Sequence, residues 1–336
     1  DSEDFDGDRD QVIKRAEAKG VNKIVNIGAD LQSSRKSVKL AEKYDNIYAV
    51  VGVHPHEADT ASDDVLNKIA ELSQNEKVAA FGEIGLDFYY DNSPRDIQKD
   101  VFLKQLLLAK DLNLPVVIHS RSAEEETLEI LDKVLPFPKG VIFHCYAYDE
   151  SYVDSLIERD FYIAFGGLLT FRNTDPIREG FKKVPLDRVL FETDAPYLTP
   201  TPFRGKINEP AYVEYILKKG VNHIHSRIKE LSGRAVSGLK QNELVRLYLP
   251  RSADHYSVIS FNFADLSPRD TAGLLETIFN IKVRDGLHCS PDAHRVAGTF
   301  PAGTVRASFG ALNTPDDADR LIRALEEMAD DIMEKK

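Results

Sequence analysis

The sequence predicts an α/β fold with a parallel sheet, followed by a smaller α+β unit. Over the first two thirds of the chain, short runs rich in apolar and β-branched residues alternate with segments of helical periodicity. The runs are almost continuously apolar, which is typical of strands buried on both faces. Strands separated by helices indicate a parallel sheet, and both a doubly wound sheet and a barrel fit this pattern. The seven runs are VNKIVNIGA (21–29), IYAVVGVHP (47–55), KVAAFGEIGLD (77–87), LPVVIHS (114–120), KGVIFHCYA (139–147), FYIAFGG (161–167) and DRVLFETDAP (187–196).

The pattern changes near residue 220, which predicts a first domain over 1–219 and a smaller α+β domain over 220–336. Two helices of the smaller domain are predicted from their caps. Ser267 and Thr314 are both residues that cap helices, and each is followed by a proline suited to the first helical position. The predicted elements are, in order, a helix over 220–241, a strand over 255–263, a helix from Ser267, strands over 282–286 and 304–310, and a helix from Thr314.

Composition and charge narrow the class of protein. The 336 residues carry a formal net charge of −12, which argues against broad, charge-driven binding to nucleic acid. No apolar run approaches the ~20 residues of a membrane helix, and the acidic start lacks the features of a signal peptide. Cys145 and Cys289 do not make a disulfide scaffold, so we expect a cytoplasmic protein. The chain begins without Met, and we expect its natural start to lie upstream of Asp1.

Polar side chains that suit a metal stand at the carboxyl ends of these strands, which in a parallel barrel form the face that holds the active site. Imidazole and carboxylate groups bind divalent cations, and a cation would compensate the buried charge of Glu83. Gly82 and Gly85 would let a metal and a substrate approach the backbone. Single residues of this kind are more often hydrogen-bonded core or turn residues, so the prediction depends on the whole set. The strand-end residues are His54, His56, Glu83, Asp87, His119, Arg121, His144, Glu192 and Asp194.

Six motifs lie at or after these strand ends, namely GVHPH, GEIGLD, PVVIHSR, VIFHC, ETDAPYLTP and RGKINEP. Together they resemble the TatD-type metal-dependent deoxyribonucleases, which belong to the amidohydrolase-like barrel superfamily. The resemblance covers residues 1 to about 219. It implies a (β/α)₈ barrel, a site for one or two divalent metals (Zn, Mg or Mn), and hydrolysis of phosphodiester bonds with DNA as the substrate.

The resemblance also implies roles for individual residues of this chain. Glu83 would bridge two metals, and His119 and His144 would bind one of them. Asp194 would bind the other metal and would orient or deprotonate the attacking water, so Glu83 and Asp194 are the predicted catalytic residues. The residues expected near the substrate or in a supporting shell are His54, His56, Asp87, Arg121, Glu192, Asn208 and Glu209.

One motif of the family is missing from this sequence. Members of the family begin with a strand that carries a His-x-His pair of metal ligands, whereas this chain opens with DSEDFDGD, which resembles the segment after that pair. We therefore expect an incomplete barrel that lacks its first strand and has two exposed sheet edges. Half of one metal site would be absent, which would impair activity.

The second unit contains the motifs GLHC (286–289) and TVRASFG (304–310). With the sequence around them, roughly 221–334, they resemble the small C-terminal domain of class V aminotransferase-fold enzymes, especially cysteine desulfurase-like proteins. The resemblance implies that Cys289 carries sulfur and that Arg306 grips a substrate carboxylate. The alternatives are a small buried residue for Cys289 and a surface ion pair for Arg306. The Ser-x-His-Lys sequence that would supply the pyridoxal-phosphate lysine does not occur, so we expect no PLP binding and no sulfur transfer.

The favoured function is therefore a metal-dependent hydrolase that cleaves phosphodiester bonds in DNA. A different amidohydrolase-type reaction, on a C–N bond or a phosphotriester, is an alternative, although no lysine stands at a strand end to be carboxylated. The other class is an inactive or recombined chain made of fragments of two families. A bound metal would discriminate between the enzyme and the inactive chain.

Overall fold

The computed structural model describes residues 1–249, 257–310 and 313–334, apart from the side chain at position 223. It divides into two compact units, Asp1–Gly220 and Val221–Lys336. Each unit has its own sheet and its own helices. The start of the strand predicted over 255–263 lies outside the described residues.

The first unit is built on a seven-stranded parallel sheet. The strands pair in sequence order without a reversal, whereas a doubly wound sheet reverses its order at a switch point. The sheet curls into part of a barrel, and within the described residues its first and last strands each pair on one side only. The predicted incomplete barrel is therefore confirmed. The strands are β1 Ile24–Ile27, β2 Ile47–Val51, β3 Val78–Asp87, β4 Val116–Arg121, β5 Val141–Phe143, β6 Tyr162–Phe165 and β7 Val189–Phe191.

Helices connect successive strands, and local side-chain caps begin several of them. Asp30 is the N-cap of the helix Leu31–Lys43 (α2) and accepts the backbone N–H of Ser33, whose hydroxyl accepts the N–H of Asp30 in return. Ser62 caps the helix Asp63–Leu72 (α3) through the N–H of Val65. The helices are α1 Arg9–Ala18, α2 Leu31–Lys43, α3 Asp63–Leu72, α4 Arg95–Asp111, α5 Glu124–Asp132, α6 Glu150–Ile157, α7 Asp175–Lys183 and α8 Val213–Leu239.

One apolar residue from each of five adjacent strands forms a layer below the polar strand ends. Val50, Ala80 and Val117 are buried together, and Ile27 and Ile142 pack against them. Filling the barrel with layers of branched side chains is typical of this architecture. Ile27, Val117 and Ile142 also line the cavity that the polar strand ends face, so this layer forms its floor.

Close packing of β3 against β4 explains two glycines of the first unit. Gly82 and Gly85 have φ of 158° and 147°, and an added Cβ at Gly85 would lie 1.9 Å from the carbonyl oxygen of His119. A Cβ at Gly82 would lie 2.7 Å from the carbonyl oxygen of Val117. The neighbour that requires these glycines is therefore the β4 backbone, a packing contact that the sequence did not predict.

We expect Gly85→Ala to lower the free energy of unfolding by about 3 kcal/mol, because the added Cβ clashes with backbone and the φ is strained. Urea denaturation followed by circular dichroism measures this change. The matched control is Gly233→Ala in α8, where nothing lies within 4 Å of an added Cβ, and stability should be unchanged or slightly higher. Equal stability of the two variants would contradict the packing argument.

The second unit has a four-stranded antiparallel sheet, with the strands in the order β10 (Arg284–Gly286), β11 (Thr304–Ser308), β9 (Val258–Phe263) and β8 (Val245–Tyr248). Phe261, Phe263 and Val305 are fully buried against Leu325 of the last helix. The predicted caps are confirmed, since Ser267 and Thr314 each accept a backbone N–H three residues on. Strand β8 and helix α10 were not predicted. The elements are β8 Val245–Tyr248, β9 Val258–Phe263, α9 Pro268–Thr277, β10 Arg284–Gly286, α10 Pro291–Ala297, β11 Thr304–Ser308 and α11 Pro315–Met333.

Among the described residues, no helix combines the length and the apolar character needed to cross a bilayer.

Candidate active site

A single cavity in the first unit collects all nine residues predicted from the strand ends. Because neighbouring parallel strands end on the same side, residues far apart in sequence meet there. Asn208 and Glu209 do not line this cavity. The predicted residues that line it are His54, His56, Glu83, Asp87, His119, Arg121, His144, Glu192 and Asp194.

Glu83, near the end of β3, is the central carboxylate of this site. Its Oε1 lies 2.6 Å from Nδ1 of His119, 3.6 Å from Nε2 of His54 and 3.7 Å from Nε2 of His144. Burial raises the pKa of Glu83, but the charge of His144 and hydrogen bonds from His119 and His54 outweigh burial and hold that pKa well below its usual range. Glu83 is therefore ionised, and three imidazoles surround its charge.

Glu192 orients His144 at the end of β5. Its Oε2 lies 2.7 Å from Nδ1 of His144, and its Oε1 accepts the backbone N–H of Cys145. Because a carboxylate only accepts hydrogen bonds, Nδ1 of His144 carries the proton and donates a hydrogen bond to Glu192. Nε2 of His144 then points toward Glu83 and Asp194, with Asp194 Oδ1 at 3.6 Å. A carboxylate that fixes the far nitrogen of an imidazole is typical of metal-binding histidines.

Burial and neighbouring charges also shift the pKa values of His144 and Asp194. Burial lowers the pKa of His144, but the carboxylates of Glu192 and Glu83 outweigh burial and raise that pKa well above its usual range. Burial raises the pKa of Asp194 to about 6, with Glu83 adding to the effect and His144 opposing it. Perturbed groups that converge in a cavity are characteristic of functional sites.

Asp87, the last residue of β3, is fully buried and joins two parts of the site. Its Oδ2 lies 2.9 Å from Nε2 of His56 and 3.1 Å from Nε2 of His119. Its Oδ1 accepts the backbone N–H groups of Tyr89 and Tyr90 at 3.0 and 2.9 Å. Burial raises the pKa of Asp87, but these hydrogen bonds outweigh burial and keep it below its usual range. Asp87 is a positioning residue that holds two histidines and the following loop.

The donor set around Glu83 fits a divalent cation. Two ligands about 2.1 Å from a tetrahedral ion lie about 3.4 Å apart. The separations of Glu83 from His54 and His144, and of His144 from Asp194, are 3.6 to 3.7 Å. These distances are long for hydrogen bonds and close to the spacing of two ligands on one ion. Ligand atoms of His54, Glu83 and His119 also lie within 4.8 Å of one another.

A second group of ligand types, His144, Cys145 and Glu192, also lies within 4.8 Å. This group is less suited to a metal, because Glu192 already accepts from His144 and from the Cys145 backbone. Burial raises the pKa of the Cys145 thiol well above its usual range, and a thiol binds metal as the thiolate.

Asn208 and Glu209 lie outside the cavity and contact the segments next to it. The Asn208 amide donates to the carbonyl oxygens of Thr193 and Tyr197, which flank Asp194 in the loop after β7. Glu209 forms an ion pair with Arg15 of α1 at 2.6 Å. Glu209 was expected near the substrate or in a supporting shell, and its pairing with Arg15 favours the supporting alternative.

The contact between Arg121 and two tyrosines was not predicted from the sequence. The guanidinium of Arg121 lies 4.3 Å from the ring centroid of Tyr89 and 4.7 Å from that of Tyr90. The signal was present as a Tyr-Tyr pair directly after the strand that ends in Asp87.

In the second unit, Cys289 is exposed and follows β10, whereas Arg306 lies on β11. His288 holds its loop near β11 through a 3.0 Å contact between Nε2 and the carbonyl oxygen of Thr304. The Nε of Arg306 is buried and has no hydrogen-bond partner within the described part of the chain. Because Cys289 is exposed, the alternative of a small buried residue at this position is wrong.

Comparison with known proteins places both units. A family model described as TatD-related DNase matches residues 1–237, and one described as class-V aminotransferase matches residues 202–321. The uncharacterized metal-dependent hydrolase YabD of Bacillus subtilis is 40% identical over 247 residues, which are 74% of this chain and 95% of that protein. The 3'-5' ssDNA/RNA exonuclease TatD of Cronobacter sakazakii is 36% identical, covering 65% of this chain and 85% of that protein.

A solved structure agrees with this assignment. The TatD homologue YjjV of Escherichia coli K12 superposes with a TM-score of 0.63 at 29% identity, covering 66% of this chain and 86% of that chain. The resemblances to the TatD-type hydrolases and to class V aminotransferases are thus confirmed. The chain belongs to the TatD-related DNase family and is a metal-dependent hydrolase.

Proposed function

We propose that this chain hydrolyses phosphodiester bonds in DNA, acting on single strands from an end. The observation that carries the proposal is the convergence of three imidazoles on the ionised Glu83 at the strand ends, with Asp194 beside His144. The similarity to a protein named as a 3'-5' exonuclease of single-stranded DNA and RNA supports this choice of substrate.

Five side chains would hold one or two divalent cations, which are Zn, Mg or Mn. When bound, such a cation supplies Lewis-acid polarisation of a phosphate and activates water near neutral pH. Glu192 keeps the proton of His144 on Nδ1, so that Nε2 faces the cavity. Asp87 holds His56 and His119 in place. The proposed metal-binding residues are His54, Glu83, His119, His144 and Asp194.

The remaining polar groups of the cavity would act on the substrate. Asp194 is the carboxylate that orients the attacking water and accepts its proton, since its Oδ1 faces the cavity next to Nε2 of His144. The guanidinium of Arg121 would bind a phosphate oxygen, a task for which its fixed donors are suited. The negative net charge of the chain does not oppose this local contact, because one strand end must enter a defined cavity.

A nuclease assay with end-labelled DNA tests the proposal. The chain is stripped with EDTA, reloaded with Mg²⁺, Mn²⁺ or Zn²⁺, and incubated with single-stranded and duplex oligonucleotides labelled at either end. A ladder of products from single strands and activity in the control variant Asp91→Asn are expected, because the exposed Asp91 pairs with Arg95 outside the donor set. A folded, metal-loaded chain that cleaves no phosphodiester would refute the proposal and favour the inactive chain.

Metal removal should also lower stability. A cation that binds only the folded chain stabilises it by about 2.7 kcal/mol at a free concentration of 100 times its Kd. We therefore expect thermal unfolding of the first unit to shift upward when metal is added to the stripped protein. Circular dichroism during heating measures the shift, and mass spectrometry of the desalted protein gives the number of ions bound. An unchanged midpoint with no bound ion would argue against the donor set described above.

A further inference from the structure

Two tyrosine rings stand exposed at the mouth of the cavity. The exposed fractions of Tyr89 and Tyr90 are 63% and 54%, although aromatic rings usually contribute most when they are buried. Their ring centroids lie 4.9 Å apart at an interplanar angle of 90°. The guanidinium of Arg121 contacts both rings, and more than half of each tyrosine remains exposed to solvent. Tyr90 and Arg121 line the cavity itself.

The tyrosine pair is attached to the same carboxylate that holds the site histidines. Asp87 accepts the backbone N–H groups of Tyr89 and Tyr90 with one oxygen and contacts His56 and His119 with the other. The ring of Tyr90 also meets the ring of His56 edge-on, with centroids 5.5 Å apart. The position of the rings relative to the candidate metal site is therefore set by a buried, fully hydrogen-bonded group.

Arg121 provides a positive charge close to the candidate metal-binding residue His119. It follows His119 by two residues on β4, so the two side chains point to the same face, about 7 Å apart along the strand. Within the described residues, no carboxylate forms an ion pair with Arg121, unlike Arg95, which pairs with Asp91 beside it. The charge of Arg121 is thus available for an anion that reaches beyond the histidines.

We propose that Tyr89, Tyr90 and Arg121 form a stacking platform for single-stranded nucleic acid. A nucleobase next to the scissile phosphate stacks on the exposed tyrosine surface, and Arg121 binds the neighbouring phosphate. Bases in a duplex are stacked on each other, so the platform selects strand ends whose bases are free. This inference rests on the proposed nuclease function and adds the feature of the substrate that the chain recognises.

Paired variants and substrates test the platform. The double variant Tyr89→Ala/Tyr90→Ala should bind oligothymidylate about 5- to 150-fold more weakly, because stacking of one base contributes that much. The variant Tyr89→Phe/Tyr90→Phe keeps the rings and should bind like the unchanged chain. The matched substrate is an oligomer of equal length made of abasic tetrahydrofuran units, which has the phosphates but no bases. Fluorescence anisotropy in EDTA measures binding without cleavage.

The loss of affinity is expected only for the oligomer that carries bases. The alanine variant loses affinity for oligothymidylate, whereas all three proteins bind the abasic oligomer equally. In the metal-loaded nuclease assay, the KM of the alanine variant should rise with little change in kcat. Equal weakening on both oligomers, or no weakening on either, overturns the platform. Absence of cleavage by the unchanged chain refutes the proposed function instead, so the two failures are distinguishable.

Discussion

Glu83→Gln is expected to reduce kcat/KM for single-stranded DNA by about 10³-fold or more, since a metal centre contributes several kcal/mol to transition-state stabilisation. The substitution keeps the shape of the side chain and removes its charge. Oε1 of Glu83 is the atom that three imidazoles share, at 2.6 to 3.7 Å. A neutral amide there cannot compensate a dication, so bound metal should be lost together with activity.

The control for this prediction is Glu57→Gln. Glu57 is exposed and lies in the short helical segment Pro55–Thr60, close to His54 and His56 in sequence but with its side chain in solvent. Metal content by mass spectrometry and hydrolysis rates should match the unchanged chain in this variant. If Glu83→Gln retained both the metal and the activity while circular dichroism showed a folded protein, the site assignment would be wrong.

Glu192→Gln is expected to weaken metal binding by about 10- to 100-fold, which is the usual effect of losing a partner behind a ligand. The two carboxylate oxygens accept hydrogen bonds from Nδ1 of His144 and from the Cys145 backbone. An amide has one oxygen to accept and one NH₂ group that only donates, so one of these donors must face another donor. His144 then loses the hydrogen bond that holds its tautomer and ring orientation.

The concentration of metal separates this positioning role from a catalytic one. Because Glu192 would act through His144, saturating metal should restore most of the kcat of Glu192→Gln, whereas it should not rescue Glu83→Gln. Titration with Mn²⁺ or Zn²⁺ while following hydrolysis measures both effects. The matched control is Glu158→Gln, an exposed acid after α6. Loss of activity that no metal concentration restores would show that Glu192 contacts substrate or metal directly.

Much of the first unit could be predicted because its signals are local. Each parallel strand is a nearly continuous apolar run, and Glu83, His119, His144 and Asp194 stand near or just beyond the carboxyl ends of their strands. In a parallel sheet the strand ends share one side, so position along each strand was enough to predict a common cavity. The second unit was harder, because the short strand β8 and helix α10 carry few residues of regular pattern.

Contacts between segments that are distant in sequence were not predictable in the same way. The glycines Gly82 and Gly85 read as space for a ligand, yet the neighbour that needs the space is the β4 backbone at 1.9 to 2.7 Å from an added Cβ. Glu209 was expected near the substrate or in a supporting shell, but its partner Arg15, which is 194 positions away in sequence, was not predicted. Both outcomes depend on which segment packs nearest, and no local pattern encodes that choice.

The sequence by itself determined the class of fold, the edge of the sheet where the polar residues meet, and the metal-dependent chemistry that their side chains suit. Tertiary structure alone decided which partners each of those side chains contacts. It placed Glu83 at the centre, put Glu192 behind His144, and made Asp87 the link between two histidines and the exposed tyrosines. The physical reason is that residue type fixes which bonds a group can form, whereas distance and burial fix which of them it forms.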